Sequence, residues 1–130
     1  MSETRLAVNF SPQAATLVEA GDIVVDLYKV PDWDDLIAAA RELLPVYVHF
    51  PNQIGAAREK PDVARAIPLM RETGTHRFNV HAAPSRERFP DIEVGAHDPA
   101  SLALVARALT EDLEPAIGAF GSDVTIIELL

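Results

Sequence analysis

Val46-Tyr47-Val48-His49-Phe50, closed by Pro51, and Phe78-Asn79-Val80-His81-Ala82 decide how this chain is read. Side chains alternate between the two faces of a strand. Val46, Val48 and Phe50 therefore share one face, with Tyr47 and His49 opposite. Phe78, Val80 and Ala82 likewise share one face, with Asn79 and His81 opposite. Leu6-Ala7-Val8-Asn9-Phe10 repeats the design, with Leu6, Val8 and Phe10 against Asn9. In each case an apolar face suits packing on helices, and a polar group stands near the strand's C-terminal end. A strand over Ile23 to Lys29 ends in Lys29, and one over Val124 to Leu130 carries Glu128 near its end.

The segments between these strands read as helices. Ser11-Pro12 pairs a good N-cap with a residue favoured at the first helical position, and Gly21 is a natural stop. Asp32, Asp34 and Asp35 suit the positive end of the next helix dipole, ahead of the stripe Leu36, Ile37, Ala40, Leu43 and Leu44. Trp33 is expected to pack at that helix entry. Residues 51–61 read as a loop. Val63, Ala66, Ile67 and Met70 form a third stripe, which Pro68 kinks or splits. Asp98-Pro99 opens a long fourth helix carrying Leu102, Val105, Ala106, Leu109, Leu113, Ala116, Ile117 and Phe120, bent at Pro115 and ended by Gly121.

The order βαβαβαβαβ calls for an α/β fold with a parallel sheet and right-handed crossovers. An open doubly wound sheet and part of a (β/α)₈ barrel both satisfy it. A complete barrel needs roughly 200–250 residues, more than the 130 present. Strands covered by helices on both faces are apolar on both sides. The recurring polar face therefore favours a barrel interior or a deep cleft. Either way, ligands gather at the C-terminal strand ends. Asn9, Lys29, His49, His81 and Glu128 are expected to converge there.

Two imidazoles and a carboxylate suit Zn, Mn or Fe, leaving positions open for water or substrate. His49, His81 and Glu128 are thus the candidate metal ligands. Such a metal polarises a carbonyl or lowers the pKa of water. Lys29 is the candidate acid or electrostatic stabiliser, and Asn9 and Asn79 would hydrogen-bond a polar ligand. Arg86 and Arg88, beyond the fourth strand, are placed to clamp a phosphate or carboxylate, unless their loop is simply solvated. His76 and His97 fall in loops and are expected to be exposed.

Composition narrows the function. Twenty Asp and Glu against eleven Lys and Arg give a net charge of −9, which repels a phosphate backbone and argues against nucleic acid. Without cysteine there is no disulfide, thiolate nucleophile or Cys-ligated zinc. No apolar run reaches the ~18 residues of a membrane span, and the N-terminus lacks a signal-peptide pattern. The expected location is the cytoplasm. No G-x-G-x-x-G or phosphate-binding Walker loop is present to hold a nucleotide.

Arg5-Leu-Ala-Val-Asn-Phe-Ser-Pro12, Lys29-Val-Pro-Asp-Trp33, Pro45-Val-Tyr-Val-His-Phe50, Phe78-Asn-Val-His-Ala-Ala-Pro84 and Val124-Thr-Ile-Ile-Glu128 together resemble the xylose-isomerase-like TIM-barrel group. That group includes sugar-phosphate isomerases and epimerases and endonuclease IV. The resemblance implies divalent metal at His49, His81 and Glu128. It also implies isomerase or epimerase chemistry on a small sugar-like substrate. A full barrel of this kind is about twice as long. The expectation is therefore one domain, residues 1–130, forming the N-terminal five strands and four helices of a barrel. The apolar run Ile126 to Leu130 would leave a strand edge unpaired, so a homo-oligomer or a missing C-terminal half is expected. The other reading is a non-catalytic half-barrel that serves binding or assembly. A phosphodiesterase acting on damaged DNA fits the charge poorly.

Overall fold

All strand pairs among the described residues are parallel, as the βα alternation requires. The computed structural model describes residues 4–129. The elements are β1 (Ala7–Asn9), α1 (Pro12–Ala20), β2 (Leu27–Pro31), α2 (Asp34–Arg41), β3 (Val46–His49), β4 (Gln53–Ile54), α3 (Val63–Thr73), β5 (Phe78–Ala82), α4 (Pro99–Phe120) and β6 (Thr125–Leu129). They form two three-stranded sheets, ordered β1-β2-β3 and β4-β5-β6, and no closed barrel is present among the described residues.

Among the described residues six strands stand where the sequence reading has five. Pro51 has no N–H to give to a ladder. Pairing stops after His49 and resumes at Gln53, inside the stretch expected to be loop. Pro68 and Pro115 lie within α3 and α4, which run through both. By contact the chain divides into two units: residues up to His49 with Pro68–His76, and Phe50–Ile67 with Arg77 onward.

In the first unit, Ser11 caps α1 by accepting from the Ala14 N–H at 3.0 Å. Gly21, at φ 76°, closes it; the Gly21 and Asp22 N–H groups donate to the carbonyls of Val18 and Leu17. The turn after α1 consumes more chain than expected. Ile23 still donates to Leu17, and Asp26 accepts the Leu6 N–H through its carboxylate. The second strand therefore begins at Leu27, not Ile23. Register aligns Val8, Tyr28 and Val46 across the sheet, and Val30 with Val48. Tyr28, Val30, Val46 and Val48 are buried, as are Ile37 and Ala40 of α2, which packs on β2 and β3. The Thr75 hydroxyl accepts the buried Val48 N–H at 2.9 Å, so this strand amide is satisfied by a side chain. Trp33 is 60% exposed and makes no side-chain cap, so the expected packing at the helix entry does not occur. The helix entry relies instead on Asp34 and Asp35 in its first turn.

In the second unit, α4 packs on β4, β5 and β6. Phe78 lies 5.1 Å from Phe50 and 4.8 Å from Phe120, ring centre to ring centre. Phe78, Val80, Ile54 and Phe50 are buried. Asp98 caps α4 by accepting from the Ser101 N–H, and those contacts with Ser101 hold its carboxyl below the usual range. His76 and His97 are exposed, as expected. β6 keeps Ile126, Ile127 and Leu129 exposed, the last at 87%.

Candidate metal centre

β5 is the central strand of its sheet and fixes the site from both sides. Its residue His81 is in register with Gln53 of β4 and with Glu128 of β6. Residues opposite one another in a parallel ladder point to the same face. One row across the sheet therefore reads Gln53, His81, Glu128. His81 Nε2 and Glu128 Oε2 lie 3.3 Å apart, with the imidazole largely buried and the carboxylate half-exposed. Ligands at zinc-like bond lengths of about 2.0–2.2 Å stand about 2.8–3.6 Å from one another in octahedral or tetrahedral geometry. The pair is spaced as two ligands of one cation are. His49, the third candidate ligand, stands at the C-terminal end of β3 in the other unit.

The backbone that presents this row is anchored at several points. The His81 N–H donates to the Asn52 carbonyl at 2.9 Å, and Ala83 donates to Ile54 at 3.0 Å. Asn52 is buried, and its side-chain carbonyl accepts the Asp62 N–H at 3.2 Å. Asn79, two residues before His81, holds Phe50 by both ends of its amide. Its Oδ1 accepts the Phe50 N–H at 2.7 Å, and its Nδ2 donates to the Phe50 carbonyl at 2.8 Å. A side chain thus replaces the ladder that Pro51 interrupts. Asn79, a candidate substrate-binding residue, thus also holds the sheet together through its amide.

In the other unit, Asn9, Lys29 and Tyr47 form one row, and Pro31 and His49 the next. The polar face read from the sequence is present there. Asn9 is exposed, and Lys29 and His49 are half-buried. His49 stands one row beyond Lys29, a separation of about 6.6 Å along the strand.

The two arginines of the loop after β5 part company. Arg88 donates to the Asp112 carboxylate, so it is engaged within the protein and does not reach out to a ligand. Arg86 is exposed and lines a cavity of about 210 Å³ with Pro84, Phe89, Ile92 and Val94, which neither His81 nor Glu128 enters.

Two positions near this row escape the sequence reading. Gln53 lies in a two-residue strand, too short to show alternation. Asp112 is buried on α4 between Ala108 and Ala116. An acid spaced four residues from each of two apolar neighbours is a visible sign of a buried, partnered carboxylate. It accepts from the Gly55 N–H at 2.8 Å, from Lys60 at 3.0 Å and from Arg88. Burial pushes its pKa up. The hydrogen bonds from Arg88, Gly55 and Lys60 outweigh that and hold it below the ordinary carboxylate value.

Comparison with protein-family models, curated proteins and solved structures returns no match for this chain. No helix among the described residues is long and apolar enough to cross a membrane.

Proposed function

We propose that this chain binds a divalent cation through His49, His81 and Glu128 and acts as an isomerase or epimerase on a small sugar-like molecule. The observation that carries this reading is the in-register His81–Glu128 pair, 3.3 Å apart on the polar face of a parallel sheet. The residue segments that resemble the xylose-isomerase-like group contain the same three side chains, which supports a partial (β/α)₈ architecture. A cytoplasmic setting suits such chemistry.

A divalent cation at this site supplies Lewis acidity toward a carbonyl or hydroxyl oxygen. The protein's own part is to orient and to move protons. His81 has its backbone bonded to Asn52 and its largely buried ring set against Glu128. Lys29 and Asn9, side by side in register, offer a cation and an amide to a polar ligand's oxygens. Lys29 is assigned the role of proton donor or electrostatic stabiliser.

The test is metal content. The chain is stripped with chelator, reloaded separately with Zn²⁺, Mn²⁺ or Fe²⁺, and examined by native mass spectrometry. One ion per chain, lost in His49→Ala, His81→Ala and Glu128→Ala, is the expected result. The loaded protein is then assayed on a panel of aldoses and ketoses. No stoichiometric metal under any loading condition sinks the reading.

One observation favours a second reading, a half-barrel used for assembly. β6 has a single sheet neighbour among the described residues and leaves Ile126, Ile127 and Leu129 exposed. Exposed apolar edges of this kind template pairing with another chain. The same native spectra report it: a metal-free dimer that Ile127→Lys converts to monomer would favour assembly over catalysis.

A further inference from the structure

We infer that Gln53 contributes its side-chain carbonyl oxygen, Oε1, as a neutral ligand to the cation held by His81 and Glu128. The inference rests on the metal-binding reading and adds a residue to it.

Three observations carry it. First, register: Gln53 opposes His81 directly, as Glu128 does from the other side, so the imidazole is flanked on one face by an amide and a carboxylate. Adjacent strands lie about 4.8 Å apart. A glutamine, with two methylenes before its amide, has the reach to bring Oε1 toward the His81 ring nitrogen. Second, availability: the Gln53 side-chain amide makes no hydrogen bond to any other described residue, although the residue is half-buried. Asn52 and Asn79, its polar neighbours in the same sheet, both use their amides inside the protein. Third, rigidity: β4 is only two residues long, yet its backbone is fixed at both ends. Asn52 accepts from the His81 N–H, the Gln53 N–H donates to the Glu59 carbonyl at 2.6 Å, and the Gly55 N–H donates to Asp112. A spacer on a surface loop needs none of these anchors; a ligand placed by the backbone does.

An amide oxygen is a harder donor than imidazole. It suits Mn²⁺ and similar oxygen-preferring cations better than Zn²⁺, so Gln53 also biases metal choice.

The experiment is titration of the purified, chelator-stripped chain with Mn²⁺ and with Zn²⁺, read by calorimetry and by the electron paramagnetic resonance of free Mn²⁺. Gln53→Ala is expected to weaken Mn²⁺ about tenfold and Zn²⁺ less. Gln53→Glu, which keeps the length and adds charge, is expected to tighten Mn²⁺. Thermal melts of the apo proteins verify that each variant folds, and Gln53→Asn, one methylene shorter, repeats the loss if Gln53→Ala does not fold. His81→Ala serves as the control for the site itself. Mn²⁺ affinity unchanged in Gln53→Ala but lost in His81→Ala overturns the role of Gln53 and leaves the metal reading standing. Affinity unchanged in both overturns the metal reading, and the Gln53 assignment with it.

Discussion

Asp112, buried in the middle of α4, accepts the Gly55 N–H at 2.8 Å and so joins a long helix to the end of a two-residue strand. Arg88 and Lys60 complete its shell, and Arg88 also reaches the Ala56 carbonyl. This acid ties together two loops, the one after β4 and the one after β5, around the strand that carries Gln53.

Asp112→Ala is expected to be among the most destabilising single changes in the chain. It strips a buried backbone N–H and a mostly buried guanidinium of their acceptor at once. Breaking such a pair from one side costs about 3 kcal/mol or more, because the remaining charge is left without compensation. Lys60 is half-exposed and adds little. Urea denaturation of the wild-type and variant chains measures the difference. A loss under about 1 kcal/mol would mean that water replaces the carboxylate.

The same residue gives a pH signature. Its folded-state pKa lies below the unfolded value of 3.8. The unfolded chain therefore binds the proton more readily, and stability from this group rises with pH. The contribution is fully present above the unfolded value and is lost as pH falls through the folded one. The stability gap between wild type and Asp112→Asn is expected to be constant from neutral pH down to about 5 and to narrow below about 4. Paired melts across that range check it. A gap that widens on acidification would reverse the sign.

Much of the fold follows from alternation, and the limits of that reading are physical. His49 and His81 each lie opposite a strand face that is wholly apolar, and that pattern survives any shift of strand ends. The ends themselves do not survive: β2 starts at Leu27 because Ile23 and Asp26 are taken up in turn hydrogen bonds. β4 was invisible because two residues carry no period, and its existence depends on Asn52, Asn79 and Asp112 from distant parts of the sequence. Trp33 misled because a large aromatic near a helix start is usually covered, and here it is not.

Asn79→Leu separates sheet from site. The substitution keeps bulk but leaves the buried Phe50 N–H and carbonyl without partners. Each unsatisfied group costs about 1–3 kcal/mol, so a loss of roughly 2–6 kcal/mol is expected. Asn79→Asp keeps the acceptor for the N–H but sets a carboxylate oxygen against the Phe50 carbonyl, and should be nearly as harmful at neutral pH. Denaturation midpoints of the two variants test this. If both are near wild type while ligand binding fails, the amide serves a ligand and not the strand.

Gly55 and Gly21 give a matched pair in which backbone strain is similar and surroundings differ. Both have positive φ, 82° and 76°. A Cβ at Gly21 meets nothing within 4 Å, so Gly21→Ala carries only the left-handed penalty of about 1–2 kcal/mol. A Cβ at Gly55 falls 2.7 Å from Leu109 Cδ2 and 3.2 Å from Pro84 Cα. Leu109 can turn aside, but the Pro84 backbone cannot do so without moving the loop that follows β5. Overpacking adds about 1–3 kcal/mol to the conformational term. Gly55→Ala is therefore expected to cost about twice what Gly21→Ala does, and to weaken Mn²⁺ binding as well, since the shift displaces β4 and Gln53 with it. Gly21→Ala should leave metal affinity unchanged. Parallel melts and Mn²⁺ titrations of the two variants decide the matter: equal stability losses with equal affinities would show that the Leu109 and Pro84 contacts yield freely and that β4 is not held against β5 in the way its hydrogen bonds require.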